Sequence, residues 1–93
     1  MAAMTLNEFI HVFKKSGCNV HLIMHTCKDP RFPSIVEIKA SIYNIKDKVE
    51  TLYSGAGSIS VMDVEILSAA TYINSYDNII THVLMARDLT AEQ

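Results

Sequence analysis

The sequence predicts an α+β fold in the order α-β-β-β-α, with a three-stranded antiparallel sheet, helices on one face and a short C-terminal helix. Three observations carry that expectation. Apolar residues near the N-terminus recur at helical spacing, and three later stretches alternate apolar with polar residues. A glycine turn then leads into a run of small and apolar residues that covers most of a helix circumference.

The first helix is expected over residues 5–16. Leu6, Phe9, Ile10 and Phe13 form its apolar stripe, Thr5 is placed as N-cap, and Glu8 stands three residues on, as a capping box requires. Lys14 and Lys15 suit the negative end of the helix dipole, and Gly17 is a natural stop. A strand follows over residues 19–26, with Val20, Leu22 and Met24 alternating against His21, Ile23 and His25. Pro30 and Pro33 break regular structure, because each lacks a backbone donor and restricts its neighbour. Alternation resumes over residues 34–43, through Val36, Ile38, Ala40 and Ile42. A third, shorter strand is expected over residues 48–54, completing an antiparallel meander.

After Gly55 and Gly57, Ser58 or Ser60 can cap a helix through residues 61–73, with Asp63 or Glu65 near its N-terminal end. Residues 74–77 interrupt it. A last helix is expected over about residues 77–88, with Ile79, Ile80, Val83 and Leu84 on one side. The 93 residues fit one domain with its core over about 5–74, and no repeat or linker divides them.

Composition narrows the function classes. A hydrophobic fraction of 49% and a charged fraction of 19% describe a globular chain, not a disordered one. No apolar run reaches the roughly 18 residues that a membrane span needs, and the first residues lack the pattern of a signal peptide. Two cysteines are too few for a disulfide scaffold, so an intracellular, cytoplasmic or nuclear setting is expected. The net charge is -2, and its distribution is uneven. Through Lys48 there are seven Lys and Arg against four Asp and Glu; from Val49 onward Arg87 stands against six acids. Nonspecific nucleic-acid affinity comes from neutralised phosphates, so this balance disfavours RNA or DNA as the main ligand.

The element order, Leu6-Asn7-Glu8-Phe9, the loop at Asp29-Pro30-Arg31-Phe32-Pro33, Gly55 and Gly57, and the small helix positions Val64, Ser68-Ala69 and Tyr72-Ile73 together resemble a double-stranded RNA-binding domain over about residues 5–74. Where that family places phosphate-gripping lysines, this sequence has Val61, Met62, Asp63, Val64 and Glu65. Apolar groups and carboxylates remove attraction there and add repulsion. The sequence is similar instead to divergent members that have lost RNA contacts, such as the third domains of Dicer-partner proteins. That resemblance implies a non-catalytic protein-interaction or dimerisation module, an adaptor in RNA silencing or RNA processing, bound to a protein partner or to itself.

In such members the edge of the third strand pairs with a partner. The corresponding interface residues here are Val49, Thr51, Leu52 and Tyr53, with Ile80, Val83 and Leu84 from the last helix. A first alternative is weak duplex-RNA binding through Glu8, Lys14, Lys15, Lys28 and Arg31. A second is a small viral or phage inhibitor docking through its acidic half.

Other chemistry has weaker footing. Cys18, His21, His25 and Cys27 are zinc-ligand types, but His21 and His25 would lie ~13 Å apart along a strand, too far for one ion. Cys and His without a placed acid or amide do not make a nucleophilic site. Gly55 and Gly57 lack the Lys-Ser or Lys-Thr of a phosphate loop. No catalytic residue, metal, cofactor or small-molecule substrate is therefore expected.

Overall fold

A computed structural model describes residues 4–25, 35–50 and 58–91. The chain begins as its sequence predicts. Helix α1 (Leu6–Phe13) is closed by a capping box: Thr5 Oγ1 accepts the Glu8 N–H at 3.1 Å, and Glu8 Oε1 accepts the Thr5 N–H at 2.9 Å. A 3-10 turn, Lys14–Ser16, ends on Gly17 at φ 66, a left-handed conformation that glycine adopts without Cβ strain.

Strand β1 (Asn19–His25) pairs antiparallel with β2 (Ile35–Ser41), setting Val20 against Ala40 and Leu22 against Ile38. The alternation in both segments is thus read correctly. From there the path departs from the expected meander. The Ser41 hydroxyl accepts the Tyr43 N–H and starts a 3-10 turn, Ile42–Asn44, while the Ile42 N–H is tied to the Cys18 carbonyl at 2.9 Å. Burial of Ile42 and Ile45 redirects the chain, so β3 (Lys48–Glu50) leaves the sheet and pairs with β4 (Ser58–Ser60) in a two-stranded ribbon. The remainder of the expected third strand lies outside the described residues.

Both later helices are strands. Ser60 caps only one 3-10 turn, Val61–Asp63, its hydroxyl accepting the Met62 N–H at 3.2 Å. Strand β5 then runs over Val64–Ile73 and β6 over Ile80–Asp88. The small residues Ser68, Ala69 and Ala70 suit a helix, but helix propensity is a weak prior that tertiary pairing overrides. Val64, Ile66, Thr71, Tyr72 and Ile73 fit a pleated surface. In β6 the spacing of Ile80, Val83 and Leu84 allows a helix; flanking ladders on both sides fix it as a strand. Residues 74–77, expected to separate two helices, belong to the hairpin connection over 74–79. Asn74 Oδ1 accepts the Tyr76 N–H at 2.8 Å, Asp77 Oδ1 accepts the Ile79 N–H at 2.9 Å, and Asn78 takes φ 60, which asparagine tolerates.

The four-stranded sheet has the order β2-β1-β6-β5. Its central pair, β1 and β6, is parallel, with Leu22 beside Leu84 and Met24 beside Ala86. The architecture is therefore α+β, with a mixed sheet in place of the expected three-stranded antiparallel one. Among the described residues, α1 is the one α-helix.

Register sorts the sheet into two faces. Val20, Leu22, Met24, Leu84, Ala86 and Val64 point into the core, under Leu6, Phe9 and Ile10 of α1. The ribbon and its turns close the same face with Ile42, Ile45, Val49, Ile59 and Val61. Each fully buried leucine contributes about 1.5–3 kcal/mol relative to an exposed one. The opposite, outer face carries no helix among the described residues.

Candidate docking edge

The two edges of the sheet differ in kind. Edge strand β2 carries Glu37 and Lys39, charges of the sort that discourage pairing with another chain. Edge strand β5 carries one charge, Glu65 at its start; from Ile66 through Tyr76 there is no charged residue and no proline. Leu67, Tyr72 and Ile73 on this strand are 58%, 53% and 62% exposed. Tyr76, at the hairpin tip, is 97% exposed.

The free length of that edge is set by two hydrogen bonds. At its start, Ile66 N–H bonds the Met4 carbonyl at 2.9 Å and Thr5 bridges to Glu65, so the segment before α1 covers the outer side of the strand. A register shift follows, between Ile66 and Ser68, placing Leu67 at a bulge. At the far end, Asn74 N–H turns inward to the Ile79 carbonyl at 3.1 Å. Antiparallel strands direct alternate backbone groups to opposite sides, so Ile73, Thr71 and Ala69 present theirs outward. Among the described residues, β6 is the one strand that pairs with β5 along this stretch.

Side chains of the edge divide between the two faces. Ala69, Thr71 and Ile73 lie on the helix side, opposite Leu84, His82 and Ile80. Thr71 Oγ1 is 3.2 Å from His82 Nδ1, and the His82 ring meets Phe9 edge-on at 5.2 Å and Phe13 at 4.9 Å. Ala70 and Tyr72 lie on the outer face, opposite Val83 and Thr81. Glu65 and Arg87 close the outer face with an ion pair of 2.8 Å. Beyond the start of β5, its apolar groups face water.

Of the residues singled out from sequence as an interface, the described ones do not share one exposed surface. Val49 and Leu84 are buried in the core, and Thr51, Leu52 and Tyr53 lie outside the described residues. Ile80 is partly exposed beside Ile73, and Val83 is half-buried on the outer face. Of the residues assigned to RNA, the Glu8 carboxylate is engaged in the helix cap. Lys14 and Lys15 lie on an open surface depression of about 640 Å³ with His11 and Lys46, while Lys28 and Arg31 fall outside the described residues.

Cys18 is a buried free thiol within the core, and His21 sits on the outer face, bound to Glu37 at 2.8 Å. Cys27, Gly55 and Gly57 lie outside the described residues. No described helix is long and apolar enough to cross a membrane.

Sequence reasoning missed β5 as the exposed edge. The usable signal was the absence of charge over residues 66–76 combined with β-branched and aromatic residues at Ile66, Thr71, Tyr72 and Ile73. Compared with protein-family models, curated proteins and solved structures, the chain matches none.

Proposed function

We propose that this chain is a non-catalytic protein-interaction module that binds by adding a strand to β5. The carrying observation is the outer edge of that strand from Leu67 to Ile73, uncharged, more than half exposed at its large residues and unpaired among the described residues. Backbone groups of Ala69, Thr71 and Ile73 supply affinity in such a mode, and neighbouring side chains supply selectivity. Strand β3, the expected docking strand, pairs with β4 over three residues, a shorter ladder than the ten-residue β5 offers.

The buried free thiol of Cys18 suits a reducing, intracellular setting. The expected role in RNA silencing or RNA processing comes from the resemblance to a double-stranded RNA-binding domain, which includes a last helix at residues 61–73. That segment is a 3-10 turn and a strand, which removes one of the features that carry the resemblance.

Selection of extended peptides from a random library on the immobilised chain tests the reading. Thr71→Pro removes one outward donor without touching the ladder to β6, because prolines are tolerated on edge strands with the nitrogen facing solvent. Selected peptides are expected to bind wild type and to lose binding to a folded Thr71→Pro variant. Binders that ignore the proline and map away from β5 would remove strand addition at this edge.

A further inference from the structure

We propose that the occupant of the β5 edge is β5 of a second copy of this chain, added antiparallel across a two-fold axis at Thr71; this rests on the strand-addition reading above. The limits of the edge lead to that axis. Ile66 N–H is held by Met4 at one end, and Asn74 N–H turns inward at the other. The outward groups between them belong to Ala69, Thr71 and Ile73, a set centred on Thr71.

A two-fold there faces Thr71 with its own copy and Ala69 with Ile73 of the second copy, in both directions. Each facing pair exchanges two backbone bonds, about six in total. A register displaced toward the start of β5 would run into the Leu67 bulge and the Met4 contact.

Side-chain size supports the same arrangement. The strand is small at Ser68, Ala69 and Ala70 and large at Tyr72 and Ile73. Antiparallel self-pairing about Thr71 lays Tyr72 on Ala70 of the second copy on the outer face. On the helix side it lays Ile73 on Ala69 of the second copy. Two of the exposed large groups of the strand, Tyr72 and Ile73, are thereby covered by two of its smallest ones. Charge agrees as well: a strand meeting its own copy places like residues near like, and none of residues 66–76 is charged. The product is one continuous eight-stranded sheet that removes two exposed edges at once.

The test is sedimentation equilibrium over a concentration series on wild type, Thr71→Lys, Thr71→Glu and an equimolar mixture of the two variants. Wild type is expected to dimerise. Each variant alone places like charges face to face and is expected to associate at least about tenfold more weakly, while the mixture recovers a one-to-one complex. Circular dichroism confirms that the variants are folded. A second measurement needs no variant: in a mixture of labelled and unlabelled wild type, isotope-filtered nuclear Overhauser contacts should join the Ile73 methyls to the Ala69 methyl across the interface.

A dimer that survives Thr71→Lys, or that lacks the Ile73–Ala69 contact, places the interface elsewhere and overturns the proposal. A wild-type chain that stays monomeric at high micromolar concentration overturns it too. If peptides sensitive to Thr71→Pro are then still selected, strand addition stands with a different occupant; if none are, both readings fall.

Discussion

His21 Nε2 lies 2.8 Å from Glu37 Oε2 on the outer face of the sheet, a diagonal contact between β1 and β2, since His21 itself faces Lys39. The hydrogen bond from His21 is the main reason the Glu37 carboxyl titrates below its ordinary value; the charges of His21 and Lys39 add to it, and partial dehydration opposes it.

A pH dependence follows from that pair. A carboxyl whose pKa is lower in the folded state than in the unfolded chain adds stability that is complete above the unfolded value. The contribution is lost as pH falls through the lowered folded value. His21→Ala should move the Glu37 titration, followed by carbon-13 NMR of its carboxyl, upward toward the ordinary carboxylate range. If the midpoint does not move, His21 is not the cause.

Leu22 and Leu84 stand beside each other in the parallel ladder, and neither is exposed. Truncating either to alanine removes contacts in the most enclosed part of the core, so Leu22→Ala or Leu84→Ala should cost about 2–5 kcal/mol in urea unfolding. An effect near zero for Leu84→Ala would contradict its place at the centre of the sheet.

Gly17 ends the first helical segment at φ 66, and a Cβ there would sit 3.4 Å from the Tyr43 hydroxyl. Gly17→Ala should cost about 1–2 kcal/mol, mostly from left-handed backbone strain. Gly17→Asn should cost less, because asparagine tolerates that conformation. Chemical denaturation of the two variants side by side gives the order.

Thr5 accepts the Glu8 N–H and also stands at the bridge to Glu65. Loss of the cap in Thr5→Ala should cost about 1 kcal/mol, and Thr5→Ser should restore most of it. Amide exchange at Ile66, whose partner is the Met4 carbonyl, should speed up in the alanine variant if the cap steadies this segment against β5.

The locally encoded part of the fold was legible. A threonine and a glutamate three apart, a glycine in the left-handed region, and two alternating runs gave α1, Gly17, β1 and β2, because each depends on neighbours in sequence. What escaped depends on distant partners. Residues 61–73 hold enough alanine and serine to pass for a helix, and Ile80, Val83 and Leu84 fit either period. Only the ladders joining β6 to β1 and to β5 decide between them. The β5 edge is hidden for the same reason, since an edge cannot be recognised in a segment that reads as a helix. The break at Asn74–Asp77 is legible, but a hairpin and an interhelical turn use the same residues.

The parallel pairing of β1 with β6 also bears on how the chain is made. Strand β1 leaves a ribosome well before its second neighbour, β6, with β2 through β5 between them. Until β6 appears, Leu22 and Met24 lack the flank that Leu84 and Ala86 supply. Closure of the core is thus a late, long-range event, of the kind that slows folding and leaves apolar strands open in the meantime. A nascent chain stalled in the hairpin connection would hold β1 and β2 as an unfinished sheet, its central apolar strand open on one side.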